Sequence, residues 1–239
     1  YAFTNCGGTA PNVVQDKASL KYEVRAPHVS QMKELFDRVV HIANGAAEMT
    51  ETKMTYEITF AFSDYIASPA LAEEISDCMK QAGPTEWSEE DYALAKAMLQ
   101  SYNASTLTNI RDNLAEVFGS YQVDAIMEKP LHDGIFAYER VKNPVYKSGS
   151  TDVGDVAYAT PTVMINTATS CLGNVGHSWQ NTSFCGSQIG MKGMMKAAEI
   201  MALACVRTAA DPQLMEKAKA ELKAKNGGKY TCPLPDSVL

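Results

Sequence analysis

The feature that most constrains this fold is a change in the period of the hydrophobic pattern near residue 65. Before that point, apolar and polar residues alternate over 18–24 and 54–60, which predicts two strands that each have one wet face. Between them, apolar residues recur at helical spacing from Leu35 to Ala47, with Ser30 in the position of an N-cap. The first 65 residues are therefore expected to form a small sheet with a helix on one face.

Beyond Tyr65 the pattern predicts one helix after another. Ser68-Pro69 and Ser88-Glu89-Glu90-Asp91 are helix starts, and Gly83-Pro84 is a stop. Further helices are predicted over 106–118 and 188–209, and a last one begins at Asp211-Pro212 and ends at Asn226-Gly227-Gly228. The apolar stripe of the 188–209 helix, which is rich in methionine, is expected to fill a core.

Two short apolar segments, 134–138 and 160–165, are predicted to be buried strands. The sequence GSTDVGDV (149–156) lies between them and is interpreted as a loop. Strands that alternate with helices in this way predict an α/β fold class.

Composition excludes several classes of partner. The 239 residues are 46% hydrophobic, enough for a buried core, and 21 Lys and Arg against 28 Asp and Glu give a net charge of −7. Without a basic cluster, nucleic acid and anionic membrane surfaces are not expected as partners. No apolar run is long enough to span a bilayer and no signal peptide is recognised, so we expect a cytoplasmic protein. Six scattered cysteines are expected to be reduced core thiols.

Three loops rich in Gly, Asn, Asp and Ser are the candidate functional segments: 7–14, 149–156 and 173–180. Gly-rich phosphate loops, HExxH, GxSxG and paired-cysteine zinc spacings are absent from the sequence. From the residues alone, His177 in GHSWQ is more often a structural turn residue than a metal ligand. Asp152 and Asp155 are equally suited to capping a turn, Arg25 to a solvated strand face, and Asn12 to a turn.

Taken together and in this order, seven segments resemble one protein family: GGTAPNVV, LKYEVRAP, IANGAAEMTET, GSTDVGDV, GHSWQ, IGMKGMMKAAEIMA and YTCPLP. They resemble the C-terminal half of members of the two-zinc metallopeptidase and amidohydrolase family that includes aminoacylases and carboxypeptidase G. The resemblance implies a catalytic α/β domain interrupted by an inserted α+β lid, or dimerisation domain. Residues 1–65 would be the later part of the lid, and 66–239 the C-terminal part of the catalytic domain.

The same resemblance implies roles for individual residues. His177 would be a metal ligand, Asp152 and Asp155 would lie beside the metals, and Arg25 and Asn12 would contact the substrate. The metal would be zinc, with manganese as the alternative. Amide hydrolysis at zinc needs about three protein ligands and a general base. The complete site therefore needs residues outside this chain, from an N-terminal half or from a second subunit.

Two functions are compatible with the sequence. The first is a metal-dependent amidohydrolase that releases an acidic amino acid such as glutamate from a small N-acyl or aryl-acyl amide. It would form a homodimer through its lid, and this chain would be its C-terminal portion. The second is a non-catalytic remnant of the family that keeps the dimerising lid. A preceding or separate half that carries histidines and acids would favour the enzyme.

Overall fold

The structure is a computed structural model that describes residues 1–136, 138–140 and 149–235. These residues form two compact units: a first unit of 1–66, 149–159 and 229–235, and a second unit of 67–136, 138–140 and 160–228. The elements in chain order are β1 (Ala2–Asn5), β2 (Ser19–Lys21), α1 (Val29–Met49), α2 (Pro69–Ala82), α3 (Glu89–Gln100), α4 (Ala104–Phe118), a 3-10 turn (Ser120–Gln122), α5 (Val123–Glu128), α6 (Val153–Ala159), α7 (Trp179–Cys185), α8 (Gln188–Ala210) and α9 (Pro212–Asn226).

In the first unit, β1 and β2 form an antiparallel pair. Ala2 lies opposite Lys21 and Phe3 opposite Leu20, and the register shifts before Asn5. All residues of both strands are exposed. Because a two-stranded pair buries little surface, it is marginal without further packing. Of the predicted strand over 18–24, only residues 19–21 form a strand.

The long helix α1 begins one residue before the predicted N-cap. Ser30 lies inside the helix, so the N-cap prediction was wrong. The N-cap residue is His28, whose side chain makes no cap bond. Instead, Asp64 Oδ1 accepts a hydrogen bond from the Val29 N–H at 3.4 Å. A carboxylate that is distant in sequence satisfies this orphan donor, which local pattern rules do not detect.

The second predicted strand of this unit, 54–60, has no ladder partner in the described part of the chain and is not a strand. Its predicted apolar face is not covered, since Tyr56 is 59% and Phe60 41% exposed. Phe60 and Phe62, two residues apart, stack with ring centroids 5.5 Å apart. The alternation therefore did not predict which side chains are buried, and a strand also requires a neighbour, which periodicity does not report.

The predicted loop 149–156 is a loop only as far as Asp152, because α6 begins at Val153. At Gly154 the helix meets the chain of residue 63, since a Cβ there would lie 1.9 Å from the Ser63 carbonyl oxygen. Only glycine allows this approach. GSTDVGDV therefore combines a turn with a helix start that is fitted against another backbone segment.

The second unit is helical, and most of its helix ends are confirmed. Ser68 caps α2 by accepting from the Leu71 N–H at 3.4 Å, and Ser88 and Asp91 form a capping box at α3. Asn103 caps α4 two residues earlier than predicted. Gly227, at φ 68°, ends α9 as expected.

The two predicted buried strands of the α/β core are not found. Described residues 134–136 and 138, as well as 160–165, carry no strand; Ala137 lies outside the described residues. Phe136 is 62% exposed, and the 160–165 segment makes one backbone bond to helix α2's start, from the Ser68 N–H to the Thr162 oxygen at 3.0 Å. Short apolar runs do not distinguish a strand from a packed coil segment.

The described chain is therefore mostly helical with one small two-stranded sheet, which is compatible with a fragment of an α/β protein. The assignment of the two units to a lid and a catalytic domain stays a prediction. None of the described helices is both long and apolar enough to cross a membrane.

The core of the second unit lies among α3, α4, α5, α7 and the start of α8. Each large apolar side chain buried there contributes about 1.5–3 kcal/mol. Its buried members are Ala95, Leu99, Ile110, Leu114, Val123, Leu131, Cys171, Phe184 and Ile189. A smaller cluster of Ile75, Cys78 and Ile200 joins α2 to α8.

Helix α8 has an exposed apolar face. Its predicted stripe is largely uncovered, so the assignment of these methionines to a core was wrong for this chain. The period of a helix shows which face is apolar but not whether a partner covers it. We call this surface the α8 face; its exposed members include Met191, Met194, Met195, Met201, Cys205 and Val206.

Candidate functional site

The loop that carries His177 lies in the second unit and is held by a network of polar side chains. Tyr102 Oη accepts from the Val175 N–H at 3.0 Å and donates to Asn174 Oδ1 at 3.2 Å. Asn174 Nδ2 donates to Asn181 Oδ1 at 2.6 Å. Ser178 Oγ donates to the Val175 oxygen at 2.6 Å and caps α7 by accepting from the Asn181 N–H. The loop is therefore fixed on both sides of residue 177.

His177 has the backbone conformation that L-residues avoid. Its φ is +58°, it is exposed, and among the described residues its side chain makes no hydrogen bond. The left-handed conformation costs a non-glycine residue about 1–2 kcal/mol. Strain of this kind persists only where the surroundings over-determine it, and it occurs preferentially at functional sites. This chain places an exposed imidazole at such a position.

Asp155 is the centre of a hydrogen-bond network in the first unit. Its carboxylate accepts from Ser63 Oγ at 2.5 Å and from the Ser63 N–H at 3.3 Å. Tyr230 Oη, from the YTCPLP segment, donates to the same carboxylate at 3.3 Å. Asp155 therefore joins the start of α6 to two other segments of its unit, which is more than capping its own helix.

Asp64, the neighbour of Ser63, is a second carboxylate centre. His28 Nδ1 lies 3.1 Å from Asp64 Oδ2, and Tyr158 Oη donates to Asp64 Oδ1 at 3.2 Å. Together with the bond to the start of α1, Asp64 connects α1, α6 and the chain segment between them. The sequence analysis missed this residue. The only signal for it was its place where the hydrophobic period changes.

Both tyrosines of these networks are held in the neutral form. Burial, followed by the nearby Asp64 carboxylate, raises the pKa of Tyr158. Burial, then hydrogen bonding to Cys232 and the Asp155 charge, raises the pKa of Tyr230 to about 12. A phenol that donates to a carboxylate resists ionisation because its anion would face a like charge. Both tyrosines thus remain hydrogen-bond donors across the neutral range.

The remaining predicted site residues are exposed and take no part in the side-chain networks around Asp155 and Asp64. The Asp152 side chain accepts a long bond from Thr151 Oγ1 at 3.5 Å, and its backbone oxygen accepts from the Asp155 N–H at 3.1 Å. Arg25 forms an ion pair with Glu23 at 2.8 Å, and Asn12 lies in a turn. Of the five predicted site residues, the structure brings only Asp152 and Asp155 together, within one turn at the start of α6. His177 belongs to the other unit.

The donor set of the described chain does not by itself fit a zinc site. Zinc needs three or four protein ligands at about 2.0–2.3 Å. Among the residues that the structure describes, no three His, Cys, Asp or Glu side chains are grouped so that they could hold a metal ion. Buried Cys171 is an unsuitable donor, because burial raises the pKa of its thiol to about 12. His177 is a single donor.

The sequence of this chain was compared with those of known proteins and is similar to one of them over its whole length. No protein-family model matches the chain, and no solved structure gives a significant match. Among curated proteins, the subunit designated B of p-aminobenzoyl-glutamate hydrolase from Escherichia coli (strain K12) is 33% identical over 242 residues. This chain resembles half of that relative. The match covers all of the chain and 50% of the relative, so the resemblance expected from the sequence segments is confirmed.

Proposed function

We propose that this chain is part of a metal-dependent amidohydrolase that cleaves p-aminobenzoyl-glutamate or a similar N-acyl-glutamate. The observation that carries the proposal is the 33% identity, over the whole chain, to a hydrolase subunit named for that substrate. Because the chain spans about half the length of this relative, its activity requires the other half, on the same polypeptide or as a second subunit.

The proposed contribution of the chain is one metal ligand and its support. The polar contacts of Tyr102, Asn174 and Ser178 fix the backbone on both sides of His177, whose exposed imidazole is the proposed ligand donor. Zinc, or manganese in its place, would be bound once the remaining ligands and the general base are supplied. The metal would polarise the amide carbonyl and activate water.

Arg25 and Asn12 are the proposed contacts to the glutamate part of the substrate. The planar fork of arginine binds a carboxylate at two points. Arg25 is 2.8 Å from Glu23, and both side chains are well exposed, so exchange of Glu23 for a substrate carboxylate costs little. Asp152 and Asp155 are proposed to orient the substrate, with Asp155 fixed by Ser63 and Tyr230.

We further infer that the protein acts in the cytoplasm as a homodimer that pairs through the region of residues 1–65.

An alternative function has one observation in its favour. Since the described residues contain no three-donor group, the chain would also suit a non-catalytic dimerising module. The two functions differ in whether an added half restores activity.

The decisive experiment compares this chain with a polypeptide extended to the length of the relative. We expect the isolated chain, dialysed without added metal, to carry well below one zinc per chain by elemental analysis. The extended protein should bind metal and release glutamate from p-aminobenzoyl-glutamate. A chelator should abolish release, and zinc or manganese should restore it. An extended protein that holds metal without hydrolysing any N-acyl-glutamate would support the module instead.

A further inference from the structure

The residues that end helix α3 lie against the segment that carries His177. The backbone hydrogen bonds of the helix continue into Ser101 and Tyr102, whose N–H groups donate to carbonyl oxygens of α3 at 3.2 and 3.3 Å. The partly buried ring of Tyr102 also packs against the core of the second unit. Both residues therefore have fixed positions, from which their side chains orient the neighbouring segment.

The Tyr102 hydroxyl contacts the chain on both sides of His177. Its oxygen accepts from the Val175 N–H at 3.0 Å, donates to Asn174 Oδ1 at 3.2 Å and lies 3.4 Å from Ser178 Oγ. Because Ser178 Oγ itself donates to the Val175 carbonyl oxygen at 2.6 Å, these contacts form one hydrogen-bonded group. A single side chain from outside the loop thus contacts residues before and after position 177.

Ser101 contacts the helix that follows the loop. Its hydroxyl donates to the Met98 carbonyl oxygen at 2.6 Å and accepts from Gln180 Nε2 at 2.9 Å. Gln180 lies in the first turn of α7 and is 4% exposed, so its amide group needs a protein partner. Two adjacent residues at the end of α3 therefore contact both the loop and the start of α7.

The residues of the loop do not by themselves explain the conformation of His177. A φ of +58° is unfavourable for a residue with a Cβ. Glycine adopts this conformation freely, but the glycine of this segment is the preceding residue, Gly176. Such strain persists where the surroundings over-determine it. The contacts from Tyr102 are surroundings of this kind, because they hold the chain on either side of the strained residue.

We propose that Tyr102 is a positioning residue, whose hydroxyl holds the backbone of His177 in the left-handed conformation while Ser101 fixes the start of α7. Because the backbone angles set the direction of the Cα–Cβ bond, the same contacts fix the direction of the exposed imidazole. The consequence for catalysis rests on the proposed function. The effect on the loop does not require a metal ion.

Hydrogen exchange measured by NMR tests the effect on the loop in this chain. Tyr102→Phe removes the hydroxyl contacts and keeps the ring, so the Val175 N–H should exchange about tenfold faster. Amides of α8 should keep their rates, because only a general loss of stability would accelerate them too. Tyr121→Phe is the matched control, since it removes a hydroxyl bonded to the Gln122 side chain and should leave Val175 unchanged. An unchanged Val175 in Tyr102→Phe, or an equal acceleration throughout α8, overturns the proposal.

A double-mutant cycle tests the link between the hydroxyl and the strain. His177→Gly should raise the urea midpoint of the chain, because glycine tolerates the left-handed conformation. In Tyr102→Phe the loop can leave that conformation, so the shift caused by His177→Gly should fall to about half or less. Urea titrations of the four proteins measure this coupling. Equal shifts in both backgrounds would show that Tyr102 does not hold the strained conformation.

Kinetics of the extended protein separate this inference from the proposed hydrolase. Tyr102→Phe should lower kcat for glutamate release at least about tenfold and leave KM nearly unchanged, since a misplaced group slows the reaction more than it weakens binding. Tyr121→Phe should keep both values. A full kcat in Tyr102→Phe contradicts the positioning role. An extended protein without hydrolysis, in which Tyr102→Phe still accelerates Val175 exchange, contradicts the proposed hydrolase alone.

Discussion

At the scale of single residues, a substitution of His177 should have different effects on stability and on the proposed function. Its exposed side chain contacts little, but its backbone is strained. A substitution there should therefore affect metal binding far more than folding. The surrounding polar network, which includes Tyr102 and Asn174, keeps the loop in place whichever side chain occupies the position.

We expect His177→Ala to abolish amide hydrolysis by the extended protein, because it removes the proposed metal ligand. The free energy of unfolding of the isolated chain should change by less than about 0.5 kcal/mol, as for other exposed positions. His177→Gly is the matched variant, since it relieves the left-handed strain and should stabilise by up to about 1 kcal/mol. Urea titrations and an activity assay measure both effects. Loss of folding with full activity retained would make His177 a structural residue.

Asp91 gives stability a defined dependence on pH. The carboxylate is 3% exposed, and Lys192 Nζ and the Ser88 N–H donate to it at 2.5 and 2.8 Å. Burial alone would raise the pKa of Asp91. The hydrogen bonds from Lys192 and from Ser88 outweigh burial and hold the pKa below its usual value. The ionised carboxylate is therefore favoured more in the folded state than in the unfolded state.

The contribution of Asp91 should be fully present above its unfolded pKa of about 3.9 and be lost as pH falls through the lower folded value. Asp91→Asn should cost about 1–3 kcal/mol at neutral pH and flatten the acid limb of the stability profile. Asp77→Asn, which removes an exposed pair with Lys80, is the control and should have little effect. Urea midpoints between pH 7 and the acid range measure this. If the free energy of unfolding of Asp91→Asn falls with decreasing pH as steeply as that of the unchanged protein, Asp91 is not the source of the pH dependence.

At the scale of elements, the sequence predicted what local rules determine. Ser68, Ser88 and Gly227 mark helix ends because their own side chains or backbone satisfy the terminal groups. The start of α1 was missed because Asp64 satisfies it from a distance. The strands over 54–60 and 160–165 were wrong because pairing depends on a second segment. Likewise, GHSWQ identified the loop of His177 but not the carboxylate network around Asp155.

The α8 face should make the isolated chain bind hydrophobic dyes, since exposed apolar surface of this length is uncommon in monomers. Replacing both Met194 and Met201, which are 55% and 50% exposed, by Gln should lower dye fluorescence. Met49→Gln makes the same change at an 82% exposed position on α1 and should lower it less. Unchanged fluorescence in the double variant would show that the dye binds elsewhere.

At the scale of the whole molecule, the two units should differ in their resistance to opening. Helix α1 of the first unit contains no buried residue, whereas α3 and α4 together contain five buried residues. These are Asp91, Ala95, Leu99, Ile110 and Leu114. Local opening follows the density of buried contacts, so the unit with few of them opens more often.

We therefore expect amide hydrogens of α1 to exchange at least about tenfold faster than those of α3 and α4. The measurement is hydrogen–deuterium exchange by mass spectrometry at low concentration, where the proposed homodimer is dissociated. Repeating it at high concentration is the control, since the proposed pairing through residues 1–65 should slow exchange in α1 and leave α3 unchanged. Equal protection of all three helices at low concentration would contradict the expected difference.

The methionines of the α8 face also make the chain susceptible to oxidation. Thioethers open to solvent take up oxygen during storage, and each sulfoxide turns a pliable apolar side chain into a polar one. The exposed fraction is 48–63% for four of them, Met191, Met194, Met195 and Met201. An aged sample would thus carry a different surface from a fresh one without losing a single hydrogen bond of its fold. Methionine sulfoxide reductases could restore the original surface.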